Sequence, residues 1–281
     1  MEMKVGCRLR YEITEPTQFV FLIEAAKADS QIVKSESLRI PVNSLGTGYD
    51  IYSDPVTMTR KVRALLGAGT VEVSYEATVE VNAAEFDPAS VSEFKFANLP
   101  LEYLEYLAPS RYCPSDTFTD FADQTFGELP RGHTRVTAIC DWIHDNIAYQ
   151  AGSTGSWTNA ADVFHAKEGV CRDFAHLGIS LTRALGIPAR YASVYADGLT
   201  PPDFHAVFQA YLIGPQGGEW FSFDPTRMSS VDSLVRIAAG RDAADVAFAW
   251  PQGEVKSEPP EVWANAKDRS DKIRTSRAVS G

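Results

Sequence analysis

A cysteine in the stretch GVCRDFAH, residues 169–176, has the setting of a nucleophile. Cys171 follows Gly169 and Val170 and begins an apolar segment with the period of a helix. The backbone N–H groups at the start of a helix are unpaired and carry partial positive charge. A thiolate is stabilised there, and the thiolate is the reactive form of cysteine. Cys171 is therefore a candidate nucleophile.

His205 and Asp224 are the candidate base and orienting acid. His205 lies near the start of a predicted strand over residues 204–213, and Asp224 ends the next predicted strand. A turn at residues 214–218 would fold the second strand back and bring both side chains to the same end of a hairpin. A carboxylate beside an imidazole fixes its tautomer, as in catalytic triads. Together with Cys171, these residues predict a nucleophile, a base and an orienting group.

Each of these signals also has an ordinary structural explanation. A lone buried cysteine commonly acts as a small apolar residue, and a strand histidine is commonly a satisfied core or surface residue. An aspartate before a proline often forms a turn. Zinc ligands usually come in close pairs, whereas the nearest spacing here is Cys171 with His176. We therefore expect no metal and no other cofactor.

The hydrophobic pattern predicts an α+β protein with an all-β region first. Residues 1–82 alternate apolar and polar side chains, most regularly over residues 71–81, which predicts an antiparallel sandwich or small barrel. Residues 83–130 contain several prolines and predict a connector with short helices. A catalytic core is predicted over residues 131–265, with an amphipathic helix near its start and a mobile tail over residues 266–281.

Within the predicted core, two helices precede an antiparallel sheet. The first covers residues 133–148, and the second begins at Cys171 and stops at Gly186, with Pro188 two residues later. The second helix is apolar on most sides, so we expect it to lie inside the domain with its N-terminus opening into a cleft. Strands over residues 189–196 and 204–213 are expected to follow it.

Composition and charge restrict the partners. The chain has 281 residues, 44% of them hydrophobic, and a net charge of −11, which disfavours nucleic acid and anionic membrane. No apolar run reaches the roughly 18 residues of a membrane helix, and the N-terminus has no signal-peptide pattern. Four scattered cysteines do not form a disulfide framework. We expect a cytoplasmic protein, and no feature indicates its oligomeric state.

Several motifs in order resemble those of the transglutaminase-like superfamily, and in particular its bacterial cysteine-protease-like branch. Over residues 133–227 they are GVCRDFAHL, GIPARYASVY, DFHAVFQAYL and W-FSFDPT. The β-rich region before them, with the connector sequence PSRYCPSD, resembles the N-terminal domain that often precedes this core in bacterial members.

The resemblance implies a papain-like core in which Cys171 is the nucleophile, His205 the base and Asp224 the orienting acid. It implies a thioester that an amine or water releases, with the oxyanion held by the Cys171 N–H and one further side chain. In animal transglutaminases an upstream tryptophan has that second role, which makes Trp157 the corresponding expectation. Arg172 and Asp173 also match the family pattern, but the resemblance does not imply that either side chain contacts the substrate.

The expected substrates are peptide or protein amides. The sequence has no Asp-rich calcium loop and lacks the long extra β-domains of animal crosslinking enzymes. Hydrolysis by a peptidase or amidase and transfer to an amine both stay open. The alternative is a non-catalytic module that binds peptides in the same cleft, because a fold can persist without its chemistry.

Overall fold

Alternating apolar residues in the first 82 positions build a sandwich of two antiparallel sheets. In the computed structural model, which describes residues 1–41, 48–82 and 86–267 and the backbone of residues 276–279, every second side chain from Val71 to Val81 is buried. Tyr11 of one sheet packs on Phe19 of the other, with ring centroids 4.9 Å apart. The strands of this region are β1 (Glu2–Ile13), β2 (Thr17–Phe21), β3 (Gln31–Arg39), β4 (Tyr49–Ser53), β5 (Arg60–Leu66) and β6 (Gly69–Val81).

Short helical segments connect this sandwich to the rest of the chain. Helix α1 (Thr119–Phe126) follows four 3₁₀ turns. The 3₁₀ turns are Pro88–Ser90, Phe96–Asn98, Leu101–Leu107 and Ser115–Phe118.

The second half of the chain forms a helix-on-sheet core. Its elements are α2 (His133–Asn146), β7 (Ala148–Tyr149), α3 (Ala160–Ala166), β8 (Glu168–Gly169), α4 (Cys171–Ala184), β9 (Ala189–Ala196), β10 (Phe204–Gly214), β11 (Gly217–Phe223) and β12 (Leu234–Gly240). The antiparallel sheet has the order β12-β9-β10-β11, and the helix bearing Cys171 packs on β10 and β9. A Cβ atom at Gly178 would come within 2.5 Å of the Phe208 ring, so this glycine lets the helix lie close to the sheet. The predicted α+β class, with an all-β region before a core in which the helix bearing Cys171 packs on an antiparallel sheet, is confirmed.

Four strands after residue 248 pair with both sheets of the sandwich and with the core sheet. The strands are β13 (Ala249–Pro251), β14 (Lys256–Ser257), β15 (Glu261–Ala266) and β16 (Ser276–Val279). β13 pairs with β2, β14 and β15 pair with β1, and β16 pairs with β11. The segment predicted as the end of the core thus completes the N-terminal sandwich. Within the predicted mobile tail, residues 276–279 form a strand, whereas residues 268–275 and 280–281 lie outside the described residues.

One hydrophobic cluster joins the sandwich and the core. It includes Cys7 and Phe21 of the sandwich together with Tyr195 and Phe208 of the core sheet. The Tyr195 hydroxyl donates to the Ile23 carbonyl at 2.6 Å, deep in this contact. The core sheet therefore packs against the sandwich as well as against α4.

All four cysteines are free, and among the described residues no helix has the length and apolarity that crossing a membrane requires.

Candidate functional site

Cys171 is the first residue of α4, as the sequence predicts. Val170 before it has extended backbone (φ −114°, ψ −180°), so the helix starts abruptly at the cysteine. The side chain is partly exposed, whereas the other three cysteines are buried. Burial raises the pKa of Cys7 and Cys113 to about 11 and about 12, which keeps these thiols protonated. Cys171 is thus the cysteine whose position permits reaction.

A buried carboxylate fixes the start of α4. Asp173 is 1% exposed, and its Oδ2 accepts the Val170 N–H at 2.9 Å and the Thr154 hydroxyl at 2.5 Å. Its Oδ1 accepts the Arg172 Nε–H at 3.1 Å, and Arg172 also donates to the Gly155 carbonyl at 2.8 Å. These bonds tie the loop before α3 to the first turn of α4. Arg172 and Asp173 therefore hold Cys171 in position and do not need to contact substrate.

The hairpin of β10 and β11 brings His205 and Asp224 together. Phe208 pairs with Phe223, so the start of β10 lies beside the end of β11. The His205 Nε2 is 2.9 Å from Asp224 Oδ2, and both side chains are buried. Asp224 Oδ1 accepts the N–H of Thr226 at 3.0 Å and its hydroxyl at 2.7 Å. The carboxylate is thereby held in one orientation, and it fixes the imidazole in turn.

The imidazole of His205 also interacts with Cys171. Burial disfavours its charged form, but the Asp224 carboxylate and a hydrogen bond with the Cys171 side chain outweigh burial and raise the pKa of His205 from 6.5 to about 10. Because Nε2 is bound to Asp224, Nδ1 is the nitrogen that remains for the sulfur. The structure thus brings together all three residues that the sequence predicts as nucleophile, base and orienting acid.

Tyr149 is a residue at the site that the sequence did not reveal. The short parallel pair of β7 and β8 places it opposite Gly169, and the Gln150 N–H donates to the Gly169 carbonyl at 2.9 Å. Burial together with the charge of Cys171 raises the pKa of Tyr149 to about 12, so Tyr149 lies near Cys171. A two-residue strand has no periodicity, so no sequence signal marked this tyrosine.

Trp157, expected as the second oxyanion donor, lies on the loop that precedes α3. Its side chain is 79% exposed, and the ring lies over Gly155. The oxyanion role of Trp157 stays a prediction.

The histidine nearest to Cys171 in sequence belongs to the core. His176 is completely buried between the rings of Tyr112 and Tyr191, at centroid distances of 5.0 and 5.2 Å. Its Nε2 accepts the Ala243 N–H at 3.2 Å, and burial lowers the pKa of His176 to about 3. It therefore stays neutral. Across the described part of the chain, no group of three or more His, Cys, Asp or Glu side chains could hold a metal ion.

Comparison with known proteins places the chain in a family. The model of the transglutaminase-like superfamily matches residues 119–225, which contain Cys171, His205 and Asp224. The crystal structure of a "putative cysteine protease" from Cytophaga hutchinsonii is 37% identical, covers 100% of this chain and 97% of its own, and superposes with a TM-score of 0.89. The chain belongs to the transglutaminase-like superfamily.

Curated relatives share only part of the chain. An uncharacterized protein of Mycobacterium leprae is 30% identical over 148 residues, which are 51% of this chain and 53% of that relative. An uncharacterized protein of Mycobacterium tuberculosis is 36% identical over 115 residues, 37% of each chain. The chain thus spans about half or less of the length of these curated relatives.

Proposed function

We propose that this protein is a cysteine-dependent amide hydrolase or acyltransferase that forms a thioester between Cys171 and peptide or protein amides. The observation that carries the proposal is the imidazole of His205, which is bound through Nε2 to the buried Asp224 and interacts electrostatically with Cys171 at the start of α4. A nucleophile, a base and a group that orients the base are the parts that acyl transfer needs. Membership of the transglutaminase-like superfamily supports the same chemistry.

Acylation begins when Nδ1 of His205 takes the thiol proton of Cys171. The raised pKa of His205 favours the imidazolium at neutral pH, with Asp224 stabilising its charge. The Cys171 thiolate attacks the amide carbonyl carbon, and the oxyanion that develops meets the Cys171 N–H and the Tyr149 hydroxyl. His205 then donates its Nδ1 proton to the leaving nitrogen. The C–N bond breaks, an amine leaves, and the thioester remains on Cys171.

Release of the acyl group runs through the same residues. Water or a primary amine attacks the thioester carbon while His205 accepts one of its protons. The C–S bond breaks, and the thiolate and imidazolium form again. Attack by water gives the acid, and attack by an amine gives a new amide.

An activated ester tests the thioester without knowledge of the natural substrate. Mixed with p-nitrophenyl acetate, the protein is expected to release a burst of about one nitrophenol per chain and to gain one acetyl group in intact mass spectrometry. Cys171→Ala is expected to abolish both signals, whereas Cys140→Ala, which changes a buried cysteine of α2, keeps them. An acetyl group that persists at full yield in Cys171→Ala would contradict the assignment.

A second experiment, with peptide acyl donors, distinguishes an enzyme from a non-catalytic binding module. A library of acyl-donor peptides, incubated with and without an amine, is expected to yield adducts on Cys171 in intact mass spectrometry. Peptides that bind wild type and Cys171→Ala equally, and never form an adduct, would support the non-catalytic module instead.

A further inference from the structure

The outer face of one sandwich sheet carries two adjoining open depressions, of about 660 and 370 Å³. Trp263 of β15 lines both of them, together with Ser37 of β3 and Glu76 of β6. On the inner face of the same sheet, Cys7 of β1 is buried and accepts a hydrogen bond from the Tyr195 hydroxyl of the core sheet at 3.4 Å. Because side chains alternate along a strand, the depressions open on the side of the sandwich that faces away from the core.

The strand register explains the shape of this face. One row across the sheet, from β15 through β1 and β6 to β3, consists of Trp263, Gly6, Glu76 and Ser37. A Cβ atom at Gly6 would come within 2.3 Å of the indole, so the absence of a side chain there lets the ring lie directly on the strand. The indole is partly exposed. It is thus a fixed aromatic platform, and the short side chain of Ser37 leaves open space beside it.

The long side chains around the platform supply hydrogen-bond donors and acceptors in balance. Three arginines are each paired with a carboxylate: Arg8 with Glu261 at 3.3 Å, Arg10 with Glu72 at 2.9 Å and Arg39 with Glu76 at 3.9 Å. The Arg8 guanidinium also lies 5.4 Å from the centroid of the Trp263 ring. A polyanion would meet the carboxylates, and a polycation would meet the guanidinium groups. A neutral ligand rich in hydroxyl groups donates to the first and accepts from the second.

We propose that this face binds a neutral glycan chain, with one pyranose ring packed on Trp263 and its hydroxyl groups bonded to the surrounding arginines and glutamates. The C–H groups on one face of a pyranose are weakly positive and pack on the negative face of an aromatic ring. The larger depression extends along β1 to Arg10 and the smaller one to Lys4, which gives space to sugar units on both sides of the platform. The sandwich would anchor the catalytic core to a glycan without covering Cys171.

Isothermal titration calorimetry of the full chain with cellohexaose, chitohexaose and maltohexaose tests the proposal. At least one of these neutral hexasaccharides is expected to bind with a Kd below about 1 mM. Sodium chloride near 1 M is expected to leave the Kd unchanged, because binding neutralises no charge. Cys171→Ala is expected to bind with the wild-type Kd, which separates this site from the catalytic one.

Two variants change the site in different ways. Trp263→Ala removes the platform and is expected to raise the Kd at least about tenfold. Ser37→Trp keeps Trp263, fills the space shared by the two depressions and is expected to raise the Kd to a similar extent. Tyr52→Ala is the matched control, because it removes an exposed aromatic ring from β4 of the other sheet, and it is expected to keep the wild-type Kd.

Two results would overturn the glycan site. One is that none of the three hexasaccharides binds, and the other is that Trp263→Ala and Ser37→Trp, both folded by circular dichroism, retain the wild-type Kd. Tighter binding of a heparin hexasaccharide, weakened by sodium chloride, would show that the face takes polyanions and would overturn the assignment to a neutral ligand.

Discussion

At the scale of single residues, Asp224 decides which nitrogen of His205 carries a proton. Thr226 donates two hydrogen bonds to Asp224 Oδ1, so in Asp224→Asn the amide oxygen is expected at that position and the NH₂ group opposite His205 Nε2. Nε2 would then accept, and Nδ1 would keep its hydrogen and could not take the proton of Cys171. We expect the burst with p-nitrophenyl acetate at neutral pH to slow roughly 10²- to 10⁴-fold. A rate within a factor of about 3 of wild type would contradict this arrangement.

The Tyr149 hydroxyl makes a second contribution at this scale. Tyr149→Phe removes the hydroxyl that we propose as an oxyanion donor and keeps the ring, which lies 5.8 Å from the Phe174 ring. Loss of one oxyanion donor is expected to slow acylation about 100-fold. Tyr112→Phe is the matched control, because it removes a hydroxyl that bonds the Ser156 carbonyl at 2.7 Å. Equal acylation rates in the two variants would exclude Tyr149 from the oxyanion site.

The charge of His205 also links stability to pH. The folded protein keeps a proton on His205 between pH 6.5 and about 10, a window in which the unfolded chain has lost it. The resulting stabilisation is full below pH 6.5 and disappears as pH rises through about 10. We expect the urea midpoint of wild type to fall more steeply across this window than that of His205→Gln. Parallel pH profiles would show that His205 is neutral in the folded protein.

At the scale of elements, the first turn of α4 depends on Asp173. In Asp173→Ala, the Val170 N–H loses its acceptor and the Arg172 guanidinium loses its carboxylate. The free energy of unfolding is expected to fall by about 3 kcal/mol, and acylation slows because Cys171 is no longer held. Thr154→Val removes one of the bonds to Asp173 and is expected to cost about 1 kcal/mol. Urea denaturation and burst kinetics measure both effects, and equal stability of the two variants would contradict this account.

Elements with a regular local pattern were predictable, and so were the residues that they hold. The helix that begins at Cys171 and the hairpin that joins His205 to Asp224 follow from periodicity and turn residues alone. Tyr149 was missed because a two-residue parallel strand has no period. The pairing of β13 with β2 and of β15 with β1 was missed for another reason. The paired residues lie more than 200 positions apart in the chain, and no local sequence pattern encodes such a pairing.

At the scale of the molecule, the sandwich and the core share hydrogen bonds as well as a hydrophobic cluster. Gln31 of β3 is 2% exposed and its amide donates to the carbonyls of Ala26 and Arg236, at 2.6 and 2.8 Å. Its Oε1 accepts the Arg236 N–H at 2.8 Å. Arg236 lies on β12 of the core sheet, so one side chain of the sandwich is bonded to the backbone of the core. The two regions are therefore expected to unfold together.

The variant Gln31→Ala tests whether the sandwich and the core unfold together. The variant leaves the Arg236 N–H and two carbonyls without these partners in a buried place, and we expect the free energy of unfolding to fall by about 2–4 kcal/mol. Gln18→Ala, at an exposed position of β2, is the control with no expected change. Circular dichroism and the p-nitrophenyl acetate burst are expected to report the same urea midpoint in wild type and in Gln31→Ala, because one cluster spans both regions. A burst that survives after the β-sheet signal is lost would show that the core folds independently of the sandwich.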